Sequence, residues 1–147
     1  MGLRERIAED MKAAMRVRDT ARLETIRMLR AAIQRREVDE RVTLDDAAVL
    51  AVIERLMRQG QESIDQFEAA GRTDLLAKER ASLAVFTAYL PEPMPPEELE
   101  ALISAALADT KASSIKDMGK VVAQLKPQLQ GRADMAQVSA RIKERLT

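Results

Sequence analysis

The sequence has 147 residues, enough for one domain or for a domain with a small second unit, and its 24 basic residues balance its 24 acidic ones. It contains no cysteine and no histidine, which excludes thiol nucleophiles, disulfides, cysteine–zinc sites and any Ser-His or Cys-His catalytic pair. Because it also lacks a signal-peptide core and any apolar run near the roughly 20 residues of a membrane span, the sequence predicts a cytoplasmic protein with no membrane partner.

The first part of the chain is predicted to form four helices. Apolar residues recur at the spacing of one helix face, and no segment alternates as a strand does. Thr43 is expected to cap the third helix, Gly71 to end it, and Thr73 to cap the fourth. Gly60 lies inside the third helix, where glycine costs about 1 kcal/mol relative to alanine, and is expected to mark a bend. The apolar stripes run over Leu3–Met15, Leu23–Ile33, Val49–Phe67 and Leu76–Leu90.

A proline-rich segment separates these helices from the rest of the chain. Four of the five prolines fall within Pro91–Pro96, and Tyr89 before them is expected to pack its ring at this hinge and bond its hydroxyl locally. Three helices are predicted after the prolines. Pro127 is expected to bend or shorten the second, and Asp134 with Gln137 to open the third as a capping box. The sequence thus predicts an all-α fold, with an N-terminal four-helix bundle over residues 1–91, a hinge over 92–96 and a C-terminal three-helix domain over 97–147.

Residues 116–132 carry the pattern that points beyond folding. Lys116 and Lys120 are four residues apart, so they share a helix face, and Gly119 between them lets a backbone or a phosphate approach closely. With Lys126 and Arg132 they form a candidate binding set for RNA phosphates or a partner, near a helix start whose dipole and N–H groups favour anions. The alternative is a glycine that packs against another helix, flanked by solvated lysines.

The last helix carries three further bases, Arg141, Lys143 and Arg145. They either extend the candidate binding set or complement the negative end of the helix dipole. The helix–turn–helix spacing of residues 117–146 also suggests DNA binding, but only Gln137 and Arg141 suit contacts to base edges there.

Several short motifs, in this order along the chain, resemble the GatB/YqeY family. They are Asp10-Met11-Lys12-Ala13-Ala14-Met15, Ile26-Arg27-Met28-Leu29, Gly71-Arg72-Thr73-Asp74-Leu75, Tyr89-Leu90-Pro91, Asp117-Met118-Gly119-Lys120-Val121 and Gly131-Arg132-Ala133-Asp134. The resemblance spans residues 3–146. The chain departs from the family pattern at Met135, where a glycine is common, and at Gly60, in a helix region that is usually basic.

The resemblance implies a two-part all-helical fold in which residues near 95–147 are similar to the tail domain of the B subunit of glutamine-dependent aspartyl/glutamyl-tRNA amidotransferase. In that enzyme the tail grips tRNA, while amide transfer takes place elsewhere. The resemblance therefore implies an accessory protein whose partner is tRNA or a tRNA-dependent amidotransferase or synthetase. No P-loop, dinucleotide fingerprint or amidase motif is present, so no catalytic residue, cofactor or metal site is predicted.

Two other functions stay open at this point. A helical surface that binds proteins, in a homo-oligomer for example, would suit the eight methionines, whose side chains adapt in shape. Carbon–nitrogen ligase activity with glutamine as the amide donor is implied by the family resemblance alone. The sequence does not determine the oligomeric state.

Overall fold

A computed structural model describes residues 2–147 and confirms the all-α fold. Within these residues there are seven α-helices, one 3₁₀ turn and no strand. The helices are α1 (Leu3–Arg16), α2 (Thr20–Glu40), α3 (Asp46–Ala70), α4 (Thr73–Thr87), α5 (Pro96–Thr110), α6 (Met118–Leu129) and α7 (Met135–Leu146), and the 3₁₀ turn Ile115–Asp117 leads directly into α6.

The helix ends follow local capping chemistry, and three of them differ from the prediction. Asp45, not Thr43, caps α3 by accepting a hydrogen bond from the N–H three residues on. Thr73 is the first residue of α4 and does not cap it; the N-cap residue of this helix is Arg72, which makes no side-chain cap bond. Gly71 ends α3 in the left-handed conformation, as predicted, with φ at 69°. Asp134 caps α7 by accepting the N–H of Ala136, and the expected capping box with Gln137 is not formed.

The chain divides into two compact units at the prolines: the first ends at Leu90 and contains α1 to α4, and the second is Pro91–Thr147 with α5 to α7. In the first unit α3 packs against α4 and α1 against α2, while α2 also contacts α4. α3 runs through Gly60 without interruption. The centre of this core is aliphatic and is formed by Ile7, Ile26, Leu29, Val49 and Ile53.

Tyr89 fastens α1 to the end of the first unit. Its buried ring donates a hydrogen bond from the hydroxyl to Asp10 Oδ2 at 2.6 Å, and the Arg6 guanidinium lies 5.0 Å from the ring centre. The expected local partner is therefore wrong, because Asp10 is 79 residues away in sequence. Burial, and then the bond to Asp10, raise the pKa of the Tyr89 phenol far above its ordinary value.

α6 is the centre of the second unit and packs against both α5 and α7. Its Val121, Leu125 and Leu129 are fully buried and share a core with Ile103 of α5 and Ile142 of α7. The helix continues two residues past the exposed Pro127. One face of α6 is therefore committed to the core, and the opposite face is left to solvent.

Candidate functional site

The 3₁₀ turn that leads into α6 is held by a capping box that the sequence pattern did not reveal. Ser114 and Asp117 satisfy each other's backbone groups. The Asp117 carboxylate accepts the N–H of Ser113 at 2.9 Å and that of Ser114 at 3.3 Å, and these two bonds lower the pKa of Asp117. The N–H groups of Ser113 and Ser114 are thus taken up by the protein's own carboxylate and are not available to an external phosphate.

Five residues share the solvent face of α6 and the turn before it. At 100° per residue, positions 116, 119, 120, 123 and 126 fall within less than half a turn of one another, opposite the buried face. All five are exposed. We call this set the lysine face; it consists of Lys116, Gly119, Lys120, Ala123 and Lys126.

The ammonium groups of the lysine face are almost free of internal partners. The Lys120 side chain is 72% exposed and lies 4.0 Å from Asp117 Oδ1, a distance at which solvent screens much of the attraction. Within residues 2–147 the Lys116 and Lys126 side chains make no hydrogen bond or ion pair. Three positive charges are thus available to an external anion.

Gly119 has no structural reason to be glycine. A Cβ built at this position would meet nothing within 4 Å, so the helix-packing explanation does not hold. Its φ is also helical, since the positive-φ glycines among the described residues are Gly71 and Gly131. Glycine inside a helix costs roughly 0.5–1 kcal/mol relative to alanine. The lysine face therefore keeps an open, energetically unfavourable position at its centre.

Arg132 stands apart from the lysine face, in the turn between α6 and α7. Its Nε donates to the Glu92 carbonyl at 2.9 Å, and its own carbonyl accepts the Met94 N–H at 2.9 Å. These two bonds tie the proline-rich segment to the α6–α7 turn. The structure thus gives Arg132 a role in folding, and its predicted contact with RNA stays a prediction.

The bases of α7 divide into two kinds. Arg141 forms an ion pair with Glu100 of α5, and Arg145 donates to Ser104 Oγ at 2.8 Å. Lys143 is exposed, and its side chain has no hydrogen bond or ion pair within residues 2–147. Two of the three bases therefore join α7 to α5, which neither of the two earlier interpretations foresaw.

The part of the chain that the structure describes contains no group of three or more acidic, cysteine or histidine side chains placed to hold a metal ion. None of its helices has both the length and the apolarity to cross a membrane. Sequence reasoning did miss one feature, a groove between α1 and α2 lined by three arginines. No local sequence pattern marks this groove, because its lining residues come from two helices.

Comparison with known proteins gives consistent relatives. Residues 4–146 match the family described as Yqey-like protein. A Pyrenophora tritici-repentis protein, named "Altered inheritance of mitochondria protein 41, mitochondrial", is 32% identical over 95% of this chain and 78% of its own length. Proteins of the same name from Eremothecium gossypii and Lachancea thermotolerans are 36% and 32% identical, over 73% and 79% of this chain. The matched segments are 60% and 66% of those two proteins.

These names correct one prediction. The expected cytoplasmic location is wrong, because relatives that match along most of the chain are named as mitochondrial proteins. The prediction rested on the lack of a signal-peptide core, of cysteine and of apolar spans, and none of these features identifies a compartment. The match along residues 4–146, with relatives at this level of identity, establishes that the chain belongs to the YqeY-like protein family.

Proposed function

We propose that this protein is a non-catalytic accessory protein that contacts tRNA through the lysine face of α6. The observation that carries the proposal is Gly119, which lies exposed between the unpaired Lys116 and the weakly paired Lys120 and has neither a packing nor a backbone reason to be glycine. Such a position suits the close approach of a phosphate backbone, since a side chain there would hold the backbone away.

The proposed recognition uses shape and phosphate charge. Lys116, Lys120 and Lys126 span ten residues, which is about 15 Å of helix, so several phosphates along one strand are within their reach. Contacts to phosphate carry no base sequence. The second unit has no aromatic residue on which single-stranded bases could stack, which favours a folded RNA.

Two further observations support the choice of tRNA and of an accessory role. The second unit resembles the amidotransferase tail domain, which grips tRNA in that enzyme and performs no amide transfer. The names of the fungal relatives give an inheritance phenotype and a compartment, but no reaction.

Titration of labelled tRNA with the full chain at two salt concentrations tests the proposal. We expect Lys116→Glu/Lys120→Glu to weaken binding by tenfold or more at low salt, because two attractive phosphate contacts become repulsive. The matched control is Lys12→Glu/Lys78→Glu, which makes the same charge change at exposed lysines of the first unit. Equal loss in both variants, or no binding by the wild-type protein, would refute the proposal.

A protein partner, such as a tRNA-dependent amidotransferase or synthetase, is the second candidate. It is favoured by Ile115, which directly precedes Lys116 and is 46% exposed, so an apolar side chain lies beside the lysine face where a protein partner could cover it. If binding to a purified enzyme of that class is lost in Ile115→Ser and kept in Lys116→Glu/Lys120→Glu, the protein partner is favoured over tRNA.

Glutamine-dependent amide transfer has the least support, because it rests on the family resemblance alone. Release of glutamate from glutamine by the purified protein, with and without tRNA, would measure it directly. We expect no release above the uncatalysed background.

A further inference from the structure

An open groove runs between α1 and α2 of the first unit, with a volume of about 630 Å³. Its walls are residues at helical spacing: Arg4, Ala8 and Met11 on α1, and Arg27, Ala31 and Gln34 on α2. The lining of α2 extends from residue 27 to residue 37, which is about 15 Å, or two to three helical turns. Its dimensions therefore suit a third helix laid between the two.

The centre of the groove is small and apolar. Ala8 of α1 and Ala31 of α2 both line it, and the lining residues Ile7 and Ile33 also belong to the buried core. Half-buried Met11 adds an adaptable apolar surface. Small residues on both walls let another backbone approach, and the apolar floor favours the non-polar face of an amphipathic helix.

The rim of the groove carries positive charge that the protein itself leaves unpaired. The Arg27 side chain has no hydrogen bond or ion pair within residues 2–147. Arg30 contacts Met11 Sδ at 3.0 Å, and a thioether is a weak acceptor. Arg4 is paired with Glu37 at 2.9 Å. The free guanidinium groups thus cluster at the Arg27–Arg30 end, where donors for a carboxylate remain.

We propose that this groove docks an amphipathic helix of a protein partner, with acidic residues at the end that lies over Arg27 and Arg30. Guanidinium groups bind carboxylates in a planar, two-bond geometry, which fixes the orientation of such a helix. Glu37 is compensated by Arg4 at the opposite end, but Glu5 also lines that end, and its carboxylate would repel a nucleic-acid backbone running along the groove.

Fluorescence anisotropy with two synthetic peptides tests this proposal on the full chain. The first is a labelled helical peptide of about 15 residues, with leucines on one face and glutamates near one end. The second has lysines in place of the glutamates. We expect the acidic peptide to bind and the basic one to bind at least tenfold more weakly.

Arg27→Glu/Arg30→Glu should weaken binding of the acidic peptide about tenfold, because two attractive charge pairs at the rim become repulsive. The matched control is Arg55→Glu/Arg58→Glu, which makes the same change at the same spacing on exposed positions of α3 and should alter affinity less than twofold. All four arginines are exposed, so equal melting curves should show that both variants fold. The proposal is overturned if the wild type binds neither peptide or binds both equally. It is also overturned if the two double variants weaken binding of the acidic peptide equally. A third contrary result is that Arg27→Glu/Arg30→Glu abolishes binding of single-stranded RNA and leaves peptide binding unchanged.

Discussion

Replacing Gly119 by alanine should make the second unit more stable and its contact with RNA weaker. The added methyl group meets no atom within 4 Å and the backbone is already helical, so the substitution introduces no clash and no strain. Alanine in place of glycine at such a position stabilises a helix by roughly 0.5–1 kcal/mol. For a unit the size of Pro91–Thr147 this corresponds to a rise of roughly 2–8 °C in Tm.

Thermal unfolding followed by circular dichroism measures the first effect, with Gly60→Ala as the matched control. A Cβ at Gly60 would lie 3.7 Å from Glu79 Oε2, an ordinary contact, so this variant should be stabilised by a similar amount. The two variants should differ in tRNA titration. Gly119→Ala is expected to weaken binding a few-fold and Gly119→Leu much more, while Gly60→Ala leaves it unchanged.

If Gly119→Ala lowered the Tm, glycine would be required by the fold itself, and the reason for assigning it to a binding surface would be lost. If Gly119→Leu bound tRNA as well as the wild type, no phosphate backbone could be approaching at this point. Either result would refute the reasoning.

Three other outcomes follow from contacts within each unit. Tyr89 is the only tyrosine and there is no tryptophan, so phenolate absorbance follows the ionisation of this side chain alone. The phenol should ionise well above its ordinary pKa of about 10, and Asp10→Asn should lower that pKa. Because folding raises this pKa, the contribution of Tyr89 to stability is complete below about pH 10 and is lost as the pH rises beyond it. Tyr89→Phe should abolish this alkaline loss of stability in thermal melts. Asp117 has a lowered pKa, so its contribution to stability is present above the ordinary aspartate pKa of about 3.9 and is lost as the pH falls. Asp117→Asn should therefore reduce the fall in the free energy of unfolding at acidic pH. Arg132→Ala should cost about 1 kcal/mol in denaturant unfolding, because it removes the hydrogen bond from the guanidinium to the Glu92 carbonyl.

The sequence was sufficient to predict features that depend on residues within a few helical turns of each other. Helical spacing predicted the all-α fold, and the four-residue separation of Lys116 and Lys120 placed them on one face. Capping was harder, because Thr43, Asp45 and Asp46 are all competent caps; Asp45 caps α3, while the Asp46 carboxylate accepts the Leu3 N–H at the start of α1. The division into residues 1–91, 92–96 and 97–147 stays a prediction.

Features that depend on contacts between distant segments could not be predicted from the sequence. The partner of Tyr89 lies 79 residues away, and Arg132 is committed to a carbonyl 40 residues away. The openness around Gly119 is a property of three-dimensional packing, since glycine in a sequence does not reveal whether it is required. The arginine-lined groove exists only where α1 and α2 meet.

The most direct test of the central claim is the salt dependence of tRNA binding by the full chain. Each phosphate contact that releases counterions contributes about 0.7–0.9 to the slope of log K against log salt. Removing all three charges with Lys116→Ala/Lys120→Ala/Lys126→Ala should therefore reduce the slope by about 2–3 while the fold is kept. A slope equal to that of the wild type would contradict the account, because the lysine face would then not be where the protein contacts RNA.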